Sequence, residues 1–145
     1  MQIVTNSAQE TQAVAAKMAT TIISRPLPEH SATIIGLTGE LGAGKTTFVQ
    51  GFTQALGITE KVKSPTFLLI KQYDIGQRRL YHIDCYRVND YKELLPLEIE
   101  AILREPVNIV LIEWAERIAP ILPSSYISIR LEHVGEDKRK ISISP

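Results

Sequence analysis

The chain has 145 residues, 44% hydrophobic and 22% charged, which excludes a globally disordered state and suits one domain spanning residues 1–145. A domain near that size hides roughly 68–70% of its unfolded surface, enough for a substantial core. Lys and Arg number 16 and Asp and Glu 16, so the formal net charge is zero; a protein that grips a nucleic-acid backbone unaided carries a clear basic excess, because its affinity rests on neutralised phosphates.

The opening residues, MQIVTNSAQETQAVAAKM, have no basic segment leading into an apolar one, so no secretory leader is expected. No apolar run approaches the ~18 residues that span a bilayer. Residues 7–24 read as a helix. Ser7 and Glu10 form an S-x-x-E capping pattern, Val14, Met18 and Ile22 recur at helical spacing, and Pro26 and Pro28 end it. Residues 33–38, TIIGLT, have the continuous apolar character of a buried parallel strand. Glycines follow at 39, 42 and 44, then a helical pattern from Lys45 to about Leu56, with Gly57 as its stop. Lys63-Ser64-Pro65-Thr66 reads as a loop entering a strand over Phe67–Tyr73, and a turn near Asp74–Arg78 leads into Leu80–Tyr86. Cys85 is the only cysteine, so no intrachain disulfide forms; a reducing, cytosolic setting fits, and without a neighbouring helix start or basic cluster the thiol reads as an inert part of the core.

Asp90–Leu95 and Glu98–Arg104 suggest short helices separated by Pro96. Asn108–Ile112 is a fully apolar strand that ends at Glu113-Trp114. Ser125–Glu132 and Arg139–Ser144 alternate polar and apolar residues and pair through Gly135-Glu136-Asp137 as a terminal hairpin. The fold class is therefore α/β: a single domain with a mixed, mostly parallel sheet flanked by helices and a C-terminal β-hairpin.

Residues 39–46, GELGAGKT, match the phosphate-binding pattern G-x-x-x-x-G-K-[ST] between a strand and a helix. Gly39, Gly42 and Gly44 let the backbone turn where a Cβ would obstruct it. The amides from Glu40 through Leu41 and Ala43 to Lys45 then converge on phosphate oxygens, aided by the positive end of the helix. Lys45 neutralises the β- and γ-phosphates of a nucleotide, the Thr46 hydroxyl coordinates Mg²⁺, and Thr47 lies one residue deeper, within reach of the α-phosphate, so the α/β domain reads as a single P-loop NTPase domain.

Two acids close apolar strands, Asp84 and Glu113. Ligands of open α/β sheets sit at the carboxyl ends of the strands, so both are candidates to hold Mg²⁺ or to position an attacking water; the alternative is a strand cap or an ion pair with Arg87 or Arg117. His82 alternates with Tyr81 and Ile83 and reads as structural. Ser64 and Thr66 lie about twenty residues past the loop, where a Thr often senses the γ-phosphate in a switch segment, although S-P-T is also an ordinary turn. Trp114 suits either the core or an aromatic contact in the crevice or with a partner. The adenine pocket has no signature; Thr11, Gly135 and Arg139 are proposed for it because the two chain ends lack another evident task.

Taken together, GELGAGKTTF, KSPTF, YHIDCYR and LIEWAER, in this order and spacing, with Ser7–Thr11 before them, resemble the bacterial TsaE (YjeE) family over almost the whole chain. Two positions depart from it: Ala115 stands where the family often has Pro, and Glu40 where Asp is frequent. The resemblance implies a small Mg²⁺-dependent ATPase required for threonylcarbamoyladenosine in tRNA. It would act on a TsaB–TsaD heterodimer and support its turnover, with tRNA engaged indirectly through that complex. It implies Lys45, Thr46 and Thr47 as phosphate and metal ligands, Glu113 as a Mg²⁺ ligand, Asp84 as a catalytic-site acid, Ser64 and Thr66 in a switch loop and Trp114 as a position used for activity. A role beside a protein complex removes the conflict with a neutral chain. No arginine finger is evident, so intrinsic hydrolysis should be slow and a partner would complete or order the site. The competing readings are a small-molecule or nucleoside kinase, for which an arginine-rich lid is missing, a nucleotide-gated binding module without turnover, and an accidental match.

Overall fold

The computed structural model describes residues 1–60 and 70–145. Seven strands form one sheet: β1 (Gln2–Thr5), β2 (Thr33–Thr38), β3 (Ile70–Ile75), β4 (Arg78–Asp84), β5 (Asn108–Glu113), β6 (Ile127–His133) and β7 (Arg139–Ser144). Their spatial order is β1-β7-β6-β2-β5-β4-β3. The central run β6-β2-β5-β4 is parallel, and both edges are closed by antiparallel partners. The mixed sheet and the C-terminal hairpin are those expected from the sequence. β1 was not foreseen: four residues are too few to show a period, and the strand exists because it pairs with β7, Ile3 opposite Ile141.

Strand alternation divides the core in two. Ile35, Leu37, Leu80, Ile109 and Leu111 face α1 (Ala8–Ser24) and α2 (Lys45–Ala55). Ile34, Ile83, Cys85, Val110 and Ile112 face a 3₁₀ helix at Tyr91–Leu97, the short helix α3 (Ile99–Arg104) and a second 3₁₀ helix at Ala115–Ile121. All six residues of β5 are buried, as a strand covered on both faces requires. Each of its four central apolar side chains contributes roughly 1.5–3 kcal/mol through burial.

α1 starts as expected, with the Ser7 hydroxyl accepting from the Glu10 amide at 3.1 Å. Its inward stripe differs from the expected one. Thr11, Ala15, Ala19 and Ile22 are buried, while Val14 and Met18 are only partly covered. The reason lies in α2. A Cβ on Gly51 would stand 2.4 Å from the Gln12 carbonyl oxygen, so the two helices touch backbone to backbone and only small side chains fit between them.

Other boundaries shift slightly. β4 begins at Arg78 and stops at Asp84, two residues earlier at each end than expected, and the turn before it is Gly76-Gln77. Pro96 lies inside the first 3₁₀ helix, and the break before α3 falls at Glu98, whose φ is 59°. Phe67–Leu69, the expected start of β3, lies outside the described residues.

Candidate functional site

The same alternation that builds the core places the polar groups. Residues 80, 82 and 84 share one face of β4, and 109, 111 and 113 share one face of β5. Leu80, Ile109 and Leu111 pack toward α2, so His82, Asp84 and Glu113 fall on that side as well. Asp84 and Glu113 are directly paired in the parallel register, and Glu113 is paired with Leu37 of β2. The glycine-rich loop leaves β2 two residues later, so it emerges beside both acids at the carboxyl ends of three adjoining strands.

Within the loop, Gly39 has φ 142°, and a Cβ there would stand 2.4 Å from the Leu131 carbonyl oxygen. Gly44 has φ 101° and serves as the N-cap of α2 without any side-chain hydrogen bond. The first α2 amides therefore have no capping side chain, which leaves the positive end of the helix available to an anion.

A cleft of roughly 400 Å³ forms over this end of the helix. Gly42, Gly44, Lys45, Thr46 and Thr47 line one wall, Asp84 and Glu113 the floor, and Leu41, Tyr86, Trp114 and Arg139 the rim. Gly39, Glu40 and Ala43 instead border a second cleft of about 670 Å³ on the β6 side, which includes Arg130 and His133 and which the sequence did not suggest. Leu41 and Trp114 border both.

Lys45 is 6% exposed. Its ammonium donates to the carbonyls of Gly39 and Glu40, the latter at 2.9 Å, and lies 4.3 Å from the centre of the Trp114 ring. Burial pulls its pKa below the ordinary lysine value, while the negative charges of Glu113, Glu116 and Asp84 act in the opposite direction. Asp84 accepts a 3.0 Å hydrogen bond from the Tyr86 amide. Glu113 Oε2 lies 2.7 Å from His82 Nε2, with both side chains buried. The sequence favours a structural over a catalytic role for His82; its place two residues before Asp84, on the same strand face, is the signal that it shares the acids' surroundings.

Trp114 has φ 58° and ψ 44°, a left-handed conformation that is unusual for a bulky residue and typical of strain held at a site. Tyr86 lies 5.2 Å from it, and the Arg117 guanidinium 5.3 Å. Arg117 also donates to the Val88 carbonyl at 3.3 Å. Its charge is thus spent on bracing the aromatic pair, and Arg87 is exposed. Neither arginine lines the cleft.

Of the three residues suggested for the adenine, the structure brings only Arg139 to the cleft; its side chain lies 3.7 Å from a Cβ built on Gly44. Thr11 is 1% exposed, and its hydroxyl is 2.7 Å from that of Thr5, whose strand pairs Thr5 with Arg139. Gly135 sits in the hairpin turn beside Lys138, away from the lining residues. Ser64 and Thr66 lie outside the described residues.

Among the described residues no group of three His, Cys, Asp or Glu is placed to hold a metal alone. The cleft offers two carboxylates and the Thr46 hydroxyl, all hard oxygen donors. Such a set fits magnesium, which takes one or two carboxylates and draws its other ligands from substrate phosphates and water. Among the described residues no helix is long and apolar enough to cross a membrane.

The family model described as threonylcarbamoyl adenosine biosynthesis protein TsaE matches residues 5–141. A Nostoc protein named tRNA threonylcarbamoyladenosine biosynthesis protein TsaE is 45% identical over 119 residues, covering 79% of this chain and 72% of that protein. A Treponema pallidum protein of the same name is 35% identical over 144 residues, covering 99% of this chain and all of the other. The crystal structure of Bacillus subtilis YdiB superposes with a TM-score of 0.73 at 33% identity, over 99% of this chain and 83% of that one. With its model matched from Thr5 to Ile141 and its relatives aligned across the loop and both acid-bearing strands, the chain belongs to the TsaE family.

Proposed function

We propose that the chain binds ATP with Mg²⁺ in the cleft over α2, hydrolyses it, and serves threonylcarbamoyladenosine formation in tRNA by supporting turnover of a TsaB–TsaD complex. The observation that carries this reading is the meeting of the glycine-rich loop, the uncapped start of α2, Lys45 and two buried acids at one end of the parallel strands. In this reading the loop amides and Lys45 bind the β- and γ-phosphates, so Lys45 exchanges the Gly39 and Glu40 carbonyls for phosphate oxygens. Thr46 and Glu113 would hold the magnesium ion, and Asp84, fixed by the Tyr86 amide, would orient a water. Bound magnesium supplies charge neutralisation at the phosphates. The water oxygen then bonds to the γ-phosphorus as the bond to the β–γ bridging oxygen breaks, giving ADP and phosphate.

Arg139 at the rim supports a place for the nucleoside end of ATP along the C-terminal hairpin. The neutral chain supports a division of labour in which tRNA is held by the partner complex. The printed names of the Nostoc and Treponema relatives support the modification assigned to the pathway. Reconstitution of the tRNA modification from purified components tests the reading. The native chain should sustain repeated cycles and Lys45→Ala should not; a Lys45→Ala protein that sustains them equally would refute it.

A further inference from the structure

We propose that His82 is a positioning residue for Glu113: it fixes one carboxylate oxygen so that the other is presented to the magnesium ion that accompanies ATP. The inference rests on the nucleotide reading above and adds a residue to it.

Three observations support it. The first is proximity under burial: His82 Nε2 and Glu113 Oε2 are 2.7 Å apart with side-chain exposures of 0% and 4%, so removing either leaves a buried polar atom without this partner. The second is the other ring nitrogen. Among the described residues His82 Nδ1 has no hydrogen-bond partner. A leucine would fill the same space between the sheet and α2 without leaving a polar atom bare, so packing alone does not explain an imidazole. Of the two neutral tautomers, the one with its hydrogen on Nε2 can donate to the Glu113 oxygen and leaves Nδ1 as an acceptor, the arrangement in which no N–H is buried unpaired. The third is direction. His82 lies on the inner side of Asp84 along the same strand face, so it holds Glu113 from the core, on the side away from the cleft that Glu113 lines. A glutamate without that contact loses rotamer freedom at each binding event and meets the ion in several orientations.

The test uses the full chain and a nonhydrolysable ATP analogue, with affinity measured by calorimetry across a magnesium titration. His82→Leu should raise the magnesium concentration for half-maximal enhancement by about 10-fold or more, the effect typical of removing a partner behind a metal ligand. Binding of the analogue without magnesium should stay within about 2-fold by the same argument. His82→Gln places an amide N–H near the Nε2 position and should restore the magnesium response to within roughly 3-fold. In a Glu113→Gln background, His82→Leu should shift the magnesium response no further, because the histidine acts through that carboxylate. His82→Met provides a second apolar replacement should the leucine variant fail to fold. A leucine or methionine variant with native magnesium dependence, or a glutamine variant no better than leucine, would overturn the inference. A native chain whose affinity for the analogue ignores magnesium would overturn the parent reading, and this one with it.

Discussion

Trp114 is the only tryptophan, and its ring lies 4.3 Å from the Lys45 ammonium, so the chain reports on its own cleft. The perturbation is Lys45→Met, which keeps the stem and removes the charge. In the native chain, ATP bound as proposed should draw the ammonium away from the indole toward the phosphates, and Trp114 emission should change. A hydrogen bond to a charged group is worth a net ~1.5–3 kcal/mol. At about 1.4 kcal/mol per decade, that weakens binding by roughly 10- to 150-fold. The lysine also gives up two carbonyl contacts when it turns to the ligand, which places the expected loss toward the lower end. The assay is an ATP titration with Mg²⁺ followed by tryptophan emission for the native chain and by calorimetry for both, with thermal midpoints recorded to confirm folding. A Lys45→Met protein that binds within about 2-fold of native would refute the placement of phosphates over Lys45.

Two further outcomes follow from the packing. Gly51→Ala gains about 1 kcal/mol of helix propensity but forces a Cβ to 2.4 Å from the Gln12 carbonyl oxygen, backbone that cannot yield without separating α1 from α2. A net loss of about 2 kcal/mol lowers the melting temperature by roughly 7 °C, taking ~2.1 cal/mol/K per residue for the unfolding entropy; an unchanged or higher midpoint in a thermal melt would contradict the close approach. Cys85 is fully buried, and burial is the main cause that pushes its thiol from 9.0 up to about 12. It should resist iodoacetamide in the folded chain at pH 8 and react only on unfolding. The stability this shift confers is fully present below the unfolded value near 9.0 and is lost as pH rises toward about 12, which a series of denaturant melts between pH 8 and 11 would show.

What the sequence revealed and what it concealed have separate physical origins. The glycine-rich loop was legible because its spacing is set by local chain geometry, and β2 and β5 because a strand buried on both faces must be apolar throughout. Asp84 and Glu113 could be named as strand ends, but their pairing in adjacent register depends on β4 lying beside β5, which no local pattern encodes. β1 escaped notice because its evidence is its partner β7. The α1 stripe was misread because Val14 and Met18 are more apolar than Ala15 and Ala19, whereas the contact with Gly51 selects for smallness. The 3₁₀ helix after Trp114 was missed for a similar reason: it begins at a left-handed tryptophan, a conformation that tertiary contacts impose. The contact of His82 with Glu113 likewise crosses from β4 to β5, and its partner is visible only once the two strands are set side by side.

The cost of this arrangement supports the proposed ligand site over a purely structural role. His82, Asp84 and Glu113 are buried at one end of the sheet, beside the equally buried Lys45 of α2. Well-packed hydrophobic side chains of similar volume are often as stabilising as buried ionic groups, or more so. The chain has such side chains one and two residues earlier on the same strands, at Ile83, Ile112 and Leu111. At this end polarity is concentrated on the strand face that meets the loop, while Ile83, Ile112 and Leu111 beside it are apolar; the other buried polar residues of these two strands, Arg78 and Asn108, lie at their opposite ends. Trp114 adds strain at the same place, and Arg117 is committed to bracing it. Stability has been lowered in one spot where a phosphate-bearing ligand would restore it, since binding by the folded state alone raises its stability in proportion to the logarithm of ligand concentration. On the proposed reading, hydrolysis of that ligand would withdraw the stabilisation its binding gives, and the state of the cleft would then be coupled to whatever the chain engages.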